Sequence, residues 1–289
     1  MKPRKKVNLV NKSSHELVLQ VRSQQFYIHN EFYGSKGVIP VHFAFGHEAI
    51  AVAVATSMDK KDEILLTHRN IHYQLAFGEK SKKIIDEFLL NPSGVNQGKF
   101  GSMNFVNKKY KVIYTSNILG NNLAVATGVA LANKVRKIKS VTWCTSGDGA
   151  IEEGAFYESV LNSIALDLPI IYLIENNRWS LASEITERRK ELSLSYLAKA
   201  LGAFHLELYS NNVDEYKKKL KIYRKKVLTR KKPLIVEVHL ETLGGYLVKD
   251  PNKRYVNYHS GKVKSDLLSK TAIKKSYKDP AWVSTKKIN

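Results

Sequence analysis

The stretch SVTWCTSGDGAIEEGAFYESVLNSIALDLPIIYLIENNRW, residues 140–179, decides the fold. Ser140–Thr145 is a short run of β-forming residues, and Ser146-Gly147-Asp148-Gly149 breaks it. From Ile151 to Leu166, apolar or small residues fall at Ile151, Ala155, Phe156, Ser159, Val160, Ser163 and Ile164, the spacing of one helix face. Pro169–Ile174, PIIYLI, is a second strand. Strand, turn, helix, strand is a βαβ unit, expected to be parallel and right-handed.

The same alternation continues on both sides. Upstream, helices are expected over His15–Tyr33, about Gly46–Met58, Lys80–Leu90 and Asn122–Val135. A turn lies at Gly34–Gly37, and Asn91–Thr115 reads as a long loop, which in a compact domain often carries function. Downstream, helices are expected over Ser193–Leu201 and Val213–Lys231, with a strand over Leu234–Leu240. The pattern predicts an α/β fold with a doubly wound parallel sheet flanked by helices. Three segments follow: a basic N-terminal segment and helix over 1–33, the α/β domain over 34–261, and a lysine-rich C-terminal tail over 262–289.

Composition narrows the class. The 289 residues, 43% of them hydrophobic, are ample for a buried core. No apolar run approaches the ~20 residues of a membrane span. The start, MKPRKKVNLVNKSSHE, lacks the apolar stretch of a secretory signal, so a cytoplasmic location is expected. The single cysteine, Cys144, excludes an internal disulfide. A formal charge of +21 invites a polyanion partner. In Val213–Lys232, however, Val213, Tyr216, Leu220, Tyr223 and Val227 form an apolar stripe, and Lys217, Lys218, Lys221, Arg224 and Lys225 fill the other side. That is a surface helix with a wet basic face. No zinc-finger, helix-turn-helix or RNA-motif pattern accompanies the charge, so nucleic acid is not the expected partner.

Two features sit at the carboxyl ends of the neighbouring strands, where ligands bind in open α/β sheets. One is Gly147-Asp148-Gly149; the other is Asn176-Asn177-Arg178-Trp179. The glycines allow close approach of a phosphate, and the helix from Ile151 is expected to aim its N-terminus there. Asp148 and Asn177 offer hard oxygen ligands, as a magnesium ion shared with a phosphate requires.

Gly-Asp-Gly with Asn-Asn about thirty residues later resembles the thiamine-diphosphate motif; Asn177 lies 29 residues after Asp148. The whole 147–179 stretch is similar to the α subunits of 2-oxo-acid dehydrogenase E1 components. Three further regions resemble that family in order: PVHFAFGHEAIAVA (Pro40–Ala53), THRNIHYQLAFG (Thr67–Gly78), and GKFGSMNF with NILGNNLAVATGVALANK (Gly98–Phe105 and Asn117–Lys134). The likeness runs from about residue 20 to 240. It implies a thiamine-diphosphate-binding fold and the cofactors thiamine diphosphate and Mg2+. Asp148, Asn177 and the Trp179 carbonyl would be metal ligands. Gly147, Gly149 and Ala150 would meet the diphosphate, with Arg69 paired to it and His68 nearby. Leu119 and Gly120 would lie against the aminopyrimidine, and His42 would be the active-site histidine. The reaction implied is cleavage beside the carbonyl of a 2-oxo acid, with transfer of the acyl or aldehyde unit. A β-type subunit would supply the activating glutamate in an α2β2 heterotetramer.

Three places depart from the family pattern: Ile71 and Asn104 stand where histidines are expected, and Glu241–Pro251 replaces a Tyr-Arg-x-x-Gly-His-Ser-like segment. Two alternatives stay open, a transketolase-like N-terminal half acting on sugar phosphates and a catalytically degenerate subunit that stabilises a partner. The charged loop Ser180–Ser195 is expected to order when cofactor and metal bind.

Overall fold

Strand ends, rather than helices, set the shape of the site, and the sheet explains how. The computed structural model describes residues 12–181, 183–243 and 272–288. In chain order the elements are α1 (Ser14–Gly34), α2 (Glu48–Ala55), β1 (Glu63–Thr67), α3 (Ile71–Ala76), α4 (Ser81–Phe88), β2 (Val112–Ser116), α5 (Asn121–Val135), β3 (Thr142–Gly147), α6 (Gly154–Ala165), β4 (Ile170–Asn176), β5 (Trp179–Ser180), β6 (Ser183–Glu184), α7 (Ile185–Arg188), α8 (Leu194–Leu201), β7 (Phe204–Leu208), α9 (Val213–Arg230), β8 (Leu234–His239) and α10 (Pro280–Ile288). Six strands form one sheet in the order β2-β1-β3-β4-β8-β7, all pairs parallel. β5 and β6 make a separate small antiparallel pair.

Alternate residues of the strands feed two cores, as a period of two demands. Ile64, Leu66, Trp143, Ile171, Leu173 and Val236 join one apolar cluster with α1, α2, α4 and α9. Leu65, Cys144, Tyr172, Ile174 and Ile235 join the other with α5, α6 and α8. β4 is buried along its whole length, the mark of a central parallel strand covered on both faces. The doubly wound α/β expectation therefore holds. From β1 the chain steps outward to β2 and then returns past β1 to β3, so the strand order switches direction between β1 and β3. A crevice opens at such a point, above the carboxyl ends of the strands.

Several boundaries differ from the sequence reading. The helix expected from Ile151 begins at Gly154; a 3-10 turn, Ala150–Glu152, and an extended Glu153 precede it. Glu152 is drawn out to Arg188 and Arg189, which holds the first residues off the helix. β1 and β7, at five residues each, carry too little periodic signal to be expected from the sequence. The loop expected over Asn91–Thr115 contains the 3-10 turn Lys108–Tyr110 and ends in β2. In α9 the apolar stripe is buried at Val213, Tyr216, Leu220 and Val227. Arg224 is not on the wet side: its guanidinium donates twice to the fully buried Asp62, at 2.6 and 2.7 Å.

The 262–289 tail expectation needs correction over its last part. Asp279 precedes α10 and lies fully buried against α1. Arg22 of α1 donates to Glu48 at 2.6 and 2.9 Å and to Asp279 at 2.9 and 3.3 Å, with all three side chains excluded from water. Asp279 also accepts the backbone N–H groups of Ile273, Lys274 and Ala281. One guanidinium thus joins the first helix, the start of α2 and the C-terminal segment. The lysine content concealed this, because the anchor is a single aspartate. Removing one member of a buried ionic group leaves a stranded charge, at a cost of about 3–5 kcal/mol. Asp279→Ala is expected to lower unfolding free energy by about 3 kcal/mol in urea. A loss under about 1 kcal/mol would mean that the triad does not anchor the segment.

Candidate functional site

A cavity of about 300 Å³ lies at the switch in strand order. β1 brings Thr67 and, just past its end, His68 and Arg69; β2 brings Ser116 and the turn to Gly120; β3 brings Ser146 to Ala150; β4 brings Glu175 and Asn177. Of the residues singled out in the sequence, His68, Arg69, Leu119, Gly120, Gly147, Asp148, Gly149, Ala150, Asn177 and Trp179 all line this one cavity. His42 does not line it. Its ring packs edge-on against His68 with centroids 4.5 Å apart, one layer behind the wall. Gly120 takes φ +75 at the start of α5, a left-handed turn that glycine enters freely. Arg69 is buried and donates from Nη1 to the carbonyl of Phe43, which fixes the guanidinium plane beside the cavity.

Asp148 is 1% exposed. Burial pushes its carboxyl up to about 6, against the opposing pull of Arg188. The Arg188 Nη2 donates to Asp148 Oδ2 at 2.5 Å, and its Nη1 reaches Glu152. Arg189 adds a 3.0 Å bond to Glu152. The loop from Ser180 is therefore folded back as the β5–β6 hairpin and α7, with Arg188 lying over the carboxylate. Asn177 accepts from the Trp179 N–H at 3.1 Å and donates from Nδ2 to Thr242 Oγ1 at 2.9 Å.

A second set of residues was not found from the sequence. Glu175, the penultimate residue of β4, accepts from His47 Nδ1 at 3.1 Å, His72 Nε2 at 3.1 Å and Tyr73 Oη at 2.5 Å. The two imidazoles hold its carboxyl well below the usual carboxylate range despite burial. Burial lowers the His47 pKa, which favours the neutral imidazole. With Nδ1–H given to Glu175, His47 Nε2 accepts from the Thr242 hydroxyl at 2.9 Å. Thr242 in turn accepts from Asn177. A continuous chain of hydrogen bonds runs from His72 to Asn177. The sequence signal existed: His47 lies one place before Glu48, and His72 one place after Ile71. Ile71 itself is core, 1% exposed, and Asn104 is exposed and lines no part of the cavity. Of Glu241–Pro251, only Glu241–Leu243 are described; 244–251 lie outside the described residues.

The sheet, the crevice at the strand switch and the Asp148–Asn177 pair define a class, the thiamine-diphosphate-binding type of α/β protein. The model of the family described as "Dehydrogenase E1 component" matches residues 21–285. The chain belongs to that family. It is 25% identical over 243 residues to the pyruvate dehydrogenase E1 component subunit alpha of Rhizobium meliloti, covering 84% of this chain and 70% of that one. It is 26% identical over 212 residues to the Rickettsia bellii subunit of the same name, covering 73% and 65%. With the mitochondrial subunit alpha-1 of Arabidopsis thaliana, identity is 28% over 214 residues, covering 74% and 54%. The chain thus spans between about half and seven-tenths of the length of these relatives. Among solved structures, transketolases of Pichia stipitis and Leishmania mexicana superpose with a TM-score of 0.64 at 17% identity. They cover 95% and 96% of this chain and 43% and 44% of their own. At that identity the likeness concerns the fold alone.

Glu175 gives a pH prediction. Its folded pKa lies below its ordinary value of 4.5, so its stabilisation is complete above pH 4.5 and is lost as pH falls through the depressed value. Asp148 has the opposite sign, its folded pKa being raised, and it titrates equally in a Glu175→Gln variant. Glu175→Gln should cost about 3 kcal/mol at pH 7. The gap between the two stability profiles should narrow below pH 4.5, read by urea unfolding at each pH. A gap independent of pH would refute an ionised Glu175.

Proposed function

We propose that the chain binds thiamine diphosphate and Mg2+ in this cavity. It acts as the α-type subunit of an enzyme that cleaves the bond beside the carbonyl of a 2-oxo acid and passes the acyl or aldehyde unit to an acceptor. The observation that carries the reading is the buried Asp148 carboxylate at the end of β3, set near the Asn177 side chain at the end of β4.

The donor set fits the pair of ligands. A carboxylate pushed up to about 6 by burial is short of positive charge, which a divalent cation supplies. The Ser146 hydroxyl lies buried at the cavity wall with no hydrogen-bond partner. A Cβ placed on Gly147 would meet nothing within 4 Å, so open space borders the strand end. Asp148, the Asn177 oxygen and the Trp179 carbonyl would hold the metal. The Gly149 and Ala150 amides and Arg69 would meet the diphosphate, where a planar guanidinium suits phosphate. Leu119 and Gly120 would lie along the aminopyrimidine. When bound, thiamine diphosphate supplies an electron sink for the bond that breaks.

This chain's own residues then orient and exclude. Thr242 accepts from the Asn177 amide nitrogen, which would leave the side-chain oxygen to the metal. His68, backed by His42, stands at the cavity wall. Arg188 occupies the carboxylate that the metal needs, so metal binding requires Arg188 to leave Asp148 and the Ser180–Ser195 loop to shift. Ile118, Leu119 and Leu181 border the cavity and are 63%, 47% and 59% exposed. Apolar side chains left in water at the rim suit a covering partner. A β-type subunit in an α2β2 assembly would cover them and bring the activating glutamate. The family match favours this reading over a transketolase-like half.

Asp148→Ala tests the site. With the β-type subunit present, calorimetry of the unaltered chain should give thiamine diphosphate binding that needs Mg2+. The variant should lose it while its circular dichroism stays the same, because Asp148 sits on a strand-end turn. Metal-independent binding, or binding that survives the substitution, would overturn the assignment.

A further inference from the structure

The edge of the sheet farthest from β2 carries a second group of ligating side chains, away from the cavity just described. β7 and β8 run parallel with Glu207 directly opposite Glu237. His239 lies two residues beyond Glu237, and His205 two residues before Glu207, so all four side chains share one face. None of them lines the cofactor cavity.

We propose that Glu207, Glu237 and His239 form a binding site for a divalent transition-metal ion of the zinc class, with the His205 imidazole close by on the same face. One ligand atom from each of the three lies within 4.8 Å of the others. His239 Nε2 stands 2.9 Å from Glu207 Oε1 and 3.9 Å from Glu237 Oε1. These separations suit atoms gathered around one small cation.

Three further observations point to a cation here. Two carboxylates directly opposed on neighbouring strands repel one another, and that arrangement is destabilising unless positive charge sits between them. The His205 Nε2 is buried and has no hydrogen-bond partner. The ligands are also held in place from outside. The Tyr209 ring stacks on His239 at 4.3 Å and 8°. Asn176 Nδ2 donates to Glu237 Oε1 at 2.7 Å. Such outer partners fix the orientation of metal ligands and are typical of built sites. His239 opens on a hollow of about 370 Å³, which provides an entry path. The nearby Lys278 is paired to Glu241 at 3.7 Å.

Imidazole with carboxylates selects zinc, nickel or cobalt over magnesium, which prefers oxygen and water. Metal here would tie the edge strand β7 to β8 and, through Glu237 and Asn176, to the end of β4. The site does not depend on the proposed cofactor function.

The test uses the full chain carrying Asp148→Ala, so that the candidate cofactor site contributes nothing. Zn2+ is titrated against a chromophoric chelator, and Co2+ is followed by its visible absorption. One equivalent of Zn2+ is expected to bind. Adding His239→Ala or Glu207→Gln should weaken it by more than roughly 100-fold, beyond what loss of an outer partner causes. Adding His47→Ala, which breaks the other His–Glu cluster, should leave it unchanged. Glu207 lies on the half-exposed edge, so the conservative Gln variant reports even if the His239 variant fails to fold. No bound Zn2+, binding unaffected by Glu207→Gln, or binding lost with His47→Ala would each overturn the proposal.

Discussion

The candidate site depends on one buried charge, the carboxylate of Glu175. A carboxylate out of water must be paired and hydrogen-bonded or it gives up its charge. Here it takes three donors, from His47, His72 and Tyr73. Those donors come from the start of α2 and from α3, while Glu175 belongs to β4. Satisfying a single side chain therefore draws helices from the N-terminal third against the centre of the sheet. The same demand sets the His47 tautomer, and through Thr242 it sets the orientation of the Asn177 amide. The residue immediately before the Asn-Asn pair thus governs how Asn177 is presented.

The parallel sheet does the rest. Because β1, β2, β3 and β4 all end on the same side, four chain segments far apart in sequence converge on one cavity without a long loop to carry them. The Arg22 triad ties α1, the start of α2 and the C-terminal segment to one another. Arg188 lies on Asp148, so the positive charge beside that carboxylate comes from the protein itself. A metal bound as proposed would compete with Arg188 for one carboxylate, which would couple the loop that carries Arg188 to the outcome.

Much of this was legible in the sequence. The 140–179 stretch gave the βαβ unit, the parallel sheet and the Asp148–Asn177 pair, because strand runs and glycine breaks are local signals. The cavity gathers ten of the eleven residues singled out; His42 alone stands behind the wall. What stayed hidden was non-local. Nothing near Glu175 in sequence announces that His47 and His72 meet it, since those contacts span 128 and 103 positions. The short strand Phe204–Leu208 alternates in its burial, yet five residues next to a glycine turn give little periodic signal. Asp279 looked like one polar residue in a lysine-rich end, and only the fold brings Arg22 to it across 257 positions. The N-terminus of α6 lies three residues later than the local pattern implies, because Glu152 bonds to arginines that come more than thirty residues later.

The central claim is that one cation and one diphosphate share the Asp148–Asn177 end of the cavity. The most direct measurement is a crystal structure of the chain with its β-type subunit, thiamine diphosphate and Mn2+ in place of Mg2+, phased to show the anomalous signal of manganese. The account predicts a single strong peak in the cavity, between the Asp148 carboxylate and the Asn177 side-chain oxygen, with Arg188 moved off Asp148. A bound cofactor with the manganese peak elsewhere, or with Arg188 still seated on Asp148, would contradict it.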